Sequence, residues 1–597
     1  MGGFTLLEIA YEVANKVGGI YTVLVSKMSY ALRSAGQYYA IGPYYRESSG
    51  SEFAEEEPPA EFLEAFNEVR RAYGIECHYG RWLVEKKPRA ILVDPGRFRE
   101  KLNEVKGRLW DEHRIDSLQA DDWYNDPVIW SKAAGIVIAE LVRRGALGGK
   151  VIAHFHEWLS GAGLLHLKSS RTSAMTVFTT HSTVLGRTIA ETGREDLYKL
   201  INSGLDAGRP ADDRKAYEYN CQAKHLMEKA AAKNADVFTT VSDIMGRECE
   251  FMLGRKPDVI LPNGLDMNKF PPMETVFKMH EIYRERIDSF IMGYFLPYYE
   301  IDPGECLVFF ISGRYEFHNK GIDIFIEALG RLNEELKSGG RKVVVFFWIP
   351  AETKGRKPTV VEHLKLFEDL DAAIGGQKVK VEREVIRSFI RGTAPRRSGI
   401  FDEEFLRKLK ALGVRLKRKE KENPPLTPFN MPEDSITRAL EENGLRNGKQ
   451  DRVRVIFYPA YLSEKDGLLE LKYYSAMAGC DLGVFPSCYE SWGYTPLETA
   501  ALGMQAVTTD LSGFGRFIAP QLKGGEASIM VIRRDRRTDD ESAAELAELL
   551  LRICRMSAEE RAASCRRAKE LSMLADWGKL YENYEKAYSM ALEKAPA

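Results

Sequence analysis

The chain has 597 residues, with 85 Lys+Arg against 87 Asp+Glu, a net charge of −2 and a hydrophobic fraction of 44%. This is globular composition, rich enough for large cores, and its near-neutral charge argues against a general nucleic-acid binder. The longest apolar run, about Val343–Ala351, is half of what a membrane-spanning helix needs. The N-terminus, MGGFTLLEIAYE, carries acidic residues where a signal peptide is apolar, and Leu6 stands where a myristoylation signal has Ser or Thr. Eight cysteines without a CxxC pair indicate reduced thiols in an intracellular, cytoplasmic protein.

In chain order, Leu6–Ala10 reads as a strand, broken by Gly18-Gly19 before a helix from about Ile20 to Ser34. Further strands are expected at Arg89–Val93, Lys150–Phe155, Met175–Thr180 and Val237–Val241, with helices at Asp126–Arg144 and Asp212–Ala232 between them. A second alternating series opens at Cys306–Ser312 and continues through a helix carrying Phe325, Leu329, Leu332 and Leu336. Strands follow at Val343–Ile349, Val453–Phe457, Asp481–Phe485 and Ala506–Thr509, and a helix from Ser557 to about Leu592 closes the chain. Length alone allows roughly four domains at about 150 residues each, or two large ones. The simplest parse is two α/β sheets joined near Asn263–Pro272. Residues 361–445 break the pattern: they are charged and helical, with the basic run Arg415–Lys421. This is a solvated helical insertion and an oligomer contact rather than a nucleic-acid surface.

Three segments can carry chemistry. Lys16-Val17-Gly18-Gly19 lies between a strand and a helix, where backbone N–H groups and the helix N-terminus favour an anion. It is neither a P-loop nor a GxGxxG turn. Gly313–Gly321 follows a strand and brings Arg314 and Lys320 to the C-terminal edge of a sheet, a fork and an ammonium suited to a diphosphate. In Glu490-Ser-Trp492-Gly493-Tyr494-Thr495-Pro496-Leu-Glu498, backbone amides near Gly493–Thr495 suit an anion while the glutamates suit hydroxyls. Two glutamates also fit hydrolase acid/base work, but closeness in sequence does not make them face one bond. His154, His156 and His181 could meet as a zinc set, yet none has HExxH spacing, and no metal is expected.

EVANKVGGIYTVL (12–24), HFHEWLSGAGL (154–164), FTTHSTVLGR (178–187), FTTVSDI (238–244) and RKPDVILPNGLD (255–266) together resemble glycogen synthases of the animal and fungal type. So do SGRYEFHNKG (312–321), PPLTPFNM (424–431), YESWGYTPLE (489–498), SGFG (512–515) and ADW (575–577), in order over nearly the whole chain.

The resemblance implies a GT-B architecture: two Rossmann-like domains facing a deep cleft. They would span 1–265 and 266–573, with a helical insertion at about 361–425 and a final helix, 574–597, packing back on the first. It implies transfer of glucose from a nucleotide sugar, usually UDP-glucose, to the 4-hydroxyl of an α-1,4-glucan, with retention and without a metal or other cofactor. By resemblance, Arg314 and Lys320 clamp the diphosphate, helped by the amides of Gly493, Tyr494 and Thr495 and by Lys16, Gly18 and Gly19. Glu490 holds the glucose, Glu498 the ribose, Tyr473 stacks on the base, and Trp492 belongs to the same donor motif. His181 and Arg187 line the glucose pocket. Partners are a glycogen or malto-oligosaccharide primer and three further copies in a homotetramer, with no nucleic acid and no membrane. The family's Arg-rich helix for glucose 6-phosphate is only partly matched, by Arg561, Arg566 and Arg567. Ser/Thr-rich phosphorylated arms are not matched, so control through them is not expected. The competing readings are a retaining transferase with a small-sugar acceptor and a catalytically silent glucan-binding subunit. The second predicts loss of Glu490, Arg314 or Lys320, and all three are present.

Overall fold

The computed structural model describes residues 3–394, 401, 403–417 and 422–595, so the end of the basic run Arg415–Lys421 lies outside the described residues. Two sheets organise it. The first runs, in spatial order, Phe53–Glu55, Glu76–Trp82, Arg89–Asp94, Gln37–Pro43, Phe4–Ile9, Lys150–His156, Ala174–Thr180, Val237–Thr240 and Val259–Ile260. Its strands are parallel except at the edge, where Glu76–Trp82 pairs antiparallel with both neighbours. The second is parallel throughout: Val453–Tyr458, Lys342–Trp348, Cys306–Ser312, Leu482–Val484, Gln505–Thr509 and Ile529–Ile532.

Both central strands are buried at every position because helices cover both faces: Cys306–Ser312 reads as a nearly continuous apolar run, whereas Phe4–Ile9 also buries Thr5 and Glu8. Strand order reverses beside each of them, between Phe4–Ile9 and Lys150–His156 and between Cys306–Ser312 and Leu482–Val484. At such reversals the connecting loops diverge and leave a crevice at the C-terminal strand ends. The loops after Ile9, His156, Ser312 and Val484 are therefore where a ligand site belongs.

Two predicted helices are broken. Asp212–Ala232 is two helices, Arg214–Glu218 and Gln222–Asn234, because Asn220 adopts a left-handed φ of 52° that no helix accommodates. The C-terminal stretch splits into Ala558–Ser572 and Trp577–Glu593, where Asp576 ends the run by accepting from the Gly578 amide at 2.7 Å, as an N-cap does.

That break lets the chain cross back. The Leu265 amide donates to Ala575 O (2.9 Å) and the Trp577 amide to Leu265 O (3.1 Å). Trp577 is fully buried, donates Nε1–H to Ser26 Oγ at 2.9 Å, and lies so close to Gly264 that a Cβ there would stand 2.6 Å from its ring. The last helix packs on helix Gly19–Ser34 and on the first sheet. The insertion forms helices Pro358–Gly375, Lys378–Ile390 and Glu403–Leu416, the first packed on helix Met273–Phe295. Val379, Ile386, Phe389, Ile390 and Val414 are exposed on it. Among the described residues no helix is long and apolar enough to cross a membrane, and all eight cysteines are free thiols.

Trp577→Ala removes a fully buried ring and its hydrogen bond, and is expected to destabilise the fold by about 3–5 kcal/mol. Denaturant unfolding measures this, and a loss below about 1 kcal/mol would mean that the returning helix is not integral to the first core.

Candidate active site

On the second sheet, the loop 313–321 turns at Gly321, whose φ of 65° and whose approach to Pro486 O, 2.0 Å from where a Cβ would be, admit no side chain. This brings Lys320 onto Glu490, and the two side chains pair while both stay largely buried. Glu490 is held by its backbone, which bridges Ser512, with the Gly513 amide donating to Glu490 O at 3.2 Å. Gly493 then takes a φ of 103° and starts helix Tyr494–Ala501.

Arg314, Lys320, Glu490, Gly493 and Thr495 line one crevice of about 210 Å³. It adjoins a second of about 570 Å³ that shares Ser312, Gly313, Arg314 and Thr495 and adds Trp348, Tyr461 and Tyr473. Arg314 is exposed and pairs with Glu316 at 2.9 Å, so its fork is free to turn toward a ligand. Tyr473 shares a hydrogen bond with Ser312 Oγ (2.8 Å), which fixes its ring at the wall, whereas Tyr461 is 84% exposed. One turn into the helix, burial pushes the Glu498 carboxyl up to about 7 despite a 2.7 Å hydrogen bond from Tyr474 OH.

Neither the Trp492 nor the Tyr494 side chain lines the two crevices. The Trp492 ring is buried beside Phe514 and Phe517, and Tyr494 points inward, its hydroxyl unpartnered among the described residues. Their neighbours Gly493 and Thr495 line the smaller crevice instead. The first-half glycine loop differs from the expected anion site: the Glu12 carboxylate already accepts from the amides of Gly18 (3.0 Å) and Tyr21 (2.8 Å), capping helix Gly19–Ser34 internally. Lys16 lies over the Tyr21 ring, 5.5 Å away. Arg561, Arg566 and Arg567 are on helix Ala558–Ser572, behind helix Tyr494–Ala501, and line neither crevice. Arg567 pairs with Glu526 and Glu570, while Arg561 donates to Met556 O.

On the first sheet a buried chain of contacts runs from Lys27 to Glu8, from Glu8 to His156 (3.1 Å) and from His156 Nδ1 to His181 Nε2 (3.2 Å). Burial opposes ionisation of Glu8, but Lys27 and His156 outweigh it and hold the carboxyl well below its usual range. His156 Nε2 must then be the donor to Glu8. Burial lowers the pKa of both imidazoles, so the neutral His156 ring keeps Nδ1 as an acceptor. His181 therefore donates through Nε2 and is left with Nδ1 as an acceptor. Arg187, three residues into the next helix, holds Glu191 at 2.7 Å and has Tyr489 and Glu316 of the second half among its titratable neighbours.

Glu8, His154 and His156 bring ligand atoms within 4.8 Å of one another, but the set fits an ion pair better than a metal. Lys27 and Tyr38 hold the Glu8 oxygens, and Tyr588 OH and Thr179 Oγ1 engage both nitrogens of His154. A cation placed there would meet the Lys27 ammonium.

Residues that sequence reasoning missed lie under the His181 loop. The His181 amide donates to Glu157 (2.7 Å), the Thr183 amide to Glu248 (3.1 Å) and the Val184 amide to Glu228 (2.9 Å). Burial raises the pKa of all three carboxyls, to about 7 for Glu157 and Glu248, and Glu157 pushes Glu228 further. Glu157 holds its place at a φ of 63°, a strained conformation for a non-glycine residue and one typical of functional loops. No local spacing marks these carboxylates, since Glu248 is 65 residues from the amide it holds.

A model of the glycogen synthase family matches residues 8–597. The chain is 36% identical to the human liver glycogen [starch] synthase, over 99% of this chain and 84% of that protein. It is 37% identical to a Caenorhabditis elegans glycogen [starch] synthase, over 99% of this chain and 88% of that one. Among solved structures, the catalytic domain of starch synthase IV from Arabidopsis thaliana, bound to ADP and acarbose, superposes over all of both chains at 13% identity with a TM-score of 0.52. The shared fold is GT-B, two parallel-rich sheets with flanking helices.

The raised carboxyls make stability depend on pH. A carboxyl whose pKa is about 7 when folded and near 4.5 when unfolded stabilises the fold most below 4.5, and that contribution is lost as the pH rises through 7. The buried neutral histidines act in the opposite direction below about 6.5, so the clean reading is a difference between variants. Relative to the parent, Glu248→Gln is expected to gain on the order of 3 kcal/mol between pH 5 and pH 8. Denaturant midpoints across that range test it, and parallel pH profiles would refute it.

Proposed function

Because the chain belongs to the glycogen synthase family of GT-B glycosyltransferases, we propose that it transfers glucose from UDP-glucose to the 4-hydroxyl at the non-reducing end of an α-1,4-glucan, with retention of configuration. The observation that carries this is the pairing of Lys320 with Glu490 at the start of helix Tyr494–Ala501, beside Arg314, in the smaller of two joined crevices.

In this reading the diphosphate lies in the 210 Å³ crevice against Arg314, Lys320 and the amides of Gly493–Thr495. The base lies in the larger crevice against Tyr473, with Tyr461 as a further wall, and Glu498 takes the ribose hydroxyls. Cleavage of the glucosyl–phosphate bond puts negative charge on the leaving diphosphate. Two cations, brought onto the diphosphate when the donor binds, and a helix N-terminus stabilise that charge as it develops. The same groups account for a reaction that needs neither metal nor other cofactor. A diphosphate claims the Lys320 ammonium and so frees the Glu490 carboxylate to hold the sugar hydroxyls.

From the first half, His181 offers Nδ1 as an acceptor to the sugar and Arg187 faces the reacting phosphate. No carboxylate is assigned as a covalent nucleophile, so the acceptor attacks on the face that the diphosphate leaves, and the departing phosphate takes its proton. Approach of the halves 1–265 and 266–573 excludes water and favours transfer over hydrolysis. The enzyme works in the cytoplasm on a glycogen or malto-oligosaccharide primer.

The test is glucose transfer onto a malto-oligosaccharide primer, with UDP-glucose and ADP-glucose compared. Turnover is expected to favour UDP-glucose. Arg314→Ala and Lys320→Ala are each expected to lose about 2–4 kcal/mol of transition-state stabilisation, and near-normal kcat/KM in both would remove the diphosphate assignment.

The exposed apolar residues of the insertion, Ile386, Phe389 and Ile390 among them, support a homotetramer built through this arm. Light scattering is expected to give a tetramer mass, and Phe389→Asp a smaller one. A monomeric parent rejects the assembly.

A further inference from the structure

The loop that carries His181 ends at Thr183, and both the amide and the hydroxyl of Thr183 donate to one oxygen of Glu248, at 3.1 and 2.6 Å. A third donor reaches the same oxygen from the other half of the molecule: Tyr489 OH, at 3.1 Å. Tyr489 immediately precedes Glu490, and its amide and that of Cys488 donate to Asn319 O, the residue before Lys320. One carboxyl oxygen thus touches the first-half loop directly and the Lys320–Glu490 pair through a single residue.

The arrangement is poor for stability alone. Glu248 is fully buried, and its second oxygen has no hydrogen-bond partner among the described residues. Its titratable neighbours are Glu228, Tyr198, Cys249 and Tyr489, none of them a cation. Position 186 must be glycine to admit it, since a Cβ would stand 2.4 Å from the shared oxygen. An unsatisfied buried polar atom held at such close quarters calls for a role beyond packing.

We propose that Glu248 is a positioning residue that sets the register between the two reacting loops, by holding Thr183 on one side and Tyr489 on the other through the same oxygen. The inference rests on the reading in which Glu490, His181 and Arg187 meet the donor sugar. A second cross-contact, Ser242 Oγ to Ser491 O at 2.7 Å, lies two residues beyond Tyr489 and supports the same junction. The crevices assigned to base and diphosphate are lined by the second half alone, so loss of the register reaches turnover far more than nucleotide affinity.

A double-mutant cycle on the full chain tests this, with kcat at saturating UDP-glucose and primer as one readout and UDP dissociation constants as the other. Tyr489→Phe removes a single oxygen. It and Glu248→Ala are each expected to lower kcat at least tenfold while UDP affinity stays within twofold. Glu248→Gln, which keeps the acceptor oxygen, is expected to recover most of the loss seen in Glu248→Ala. The double variant Tyr489→Phe/Glu248→Ala is expected to be no slower than the slower single variant.

A Tyr489→Phe enzyme with kcat within twofold of the parent overturns the proposal, as do losses that multiply in the double variant. If Glu248→Ala fails to fold, Tyr489→Phe decides by itself. Glu490→Gln is the control for the underlying reading. Inactive Glu490→Gln with fully active Tyr489→Phe rejects the register role alone, whereas active Glu490→Gln removes the site assignment and the register role with it.

Discussion

The Lys27–Glu8 pair at the centre of the first sheet is the constraint on which the reaction-facing edge of that half depends. Both side chains are fully buried, and desolvating two charges is unfavourable unless every remaining bond is made. Glu8 meets that condition with Lys27, with Tyr38 OH at 2.8 Å and with His156 at 3.1 Å. Lys27 lies 4.7 Å from the centre of the Tyr584 ring, and Tyr588 closes the far side through His154. Tyr584 and Tyr588 come from the last helix of the chain. The crossover at Leu265 and Asp576 is therefore more than a tether, because it delivers the aromatic cover under which a charge pair can persist. The tautomer of His181, three contacts away, follows from that cover.

A second group of carboxylates on the same edge is handled in the opposite way. Glu157, Glu228 and Glu248 have no cationic partner within hydrogen-bond reach among the described residues; they hold backbone amides instead. The difference is functional in form. An ion pair such as Lys27–Glu8 satisfies itself, whereas a carboxyl that takes successive amides fixes the path of a loop. The segment 181–184 must turn sharply between a strand and a helix while presenting His181 and Arg187, and amides in such a turn find no sheet or helix partner. Buried carboxyls meet that need and leave the loop rigid, at some expense in stability near neutral pH.

The parts of this organisation that were legible in the sequence are those whose physics is local. Cys306–Ser312 and Lys342–Trp348 announce themselves because both faces of a central parallel strand are buried, and the insertion stands out by its charge. Gln37–Pro43 is a central strand too, yet it ends in Gly42-Pro43, which reads as a turn. Gly42 is in fact required because a Cβ would stand 2.5 Å from Val13 O. Glu76–Trp82 is a polar strand near the antiparallel edge, where one-sided burial leaves no continuous apolar signal. The helix breaks at Asn220 and Asp576 depend on single residues in conformations that periodicity does not register. In the site, Arg314, Lys320 and Glu490 were legible from loops flanked by strong strands and from family resemblance. Glu228 and Glu248 were not, because a buried glutamate on a helix has no sequence mark until its distant amide partner is known, and Glu12, in a turn, carries no mark of the amides it takes.

The two halves divide the work unequally. Every residue lining the joined crevices belongs to the second half, so in the proposed reading the base and most of the diphosphate are held by one sheet and its loops. The first half contributes orientation: a histidine of fixed tautomer, an arginine facing across, and a loop whose amides are all spoken for. Binding energy gathered on the second half becomes rate only if the first half stands in register when the donor bond breaks. A rigid loop on one side and a paired lysine and glutamate on the other leave few soft coordinates between them. The contact at Tyr489 is one of the few places where those coordinates are closed by a directed bond rather than by packing.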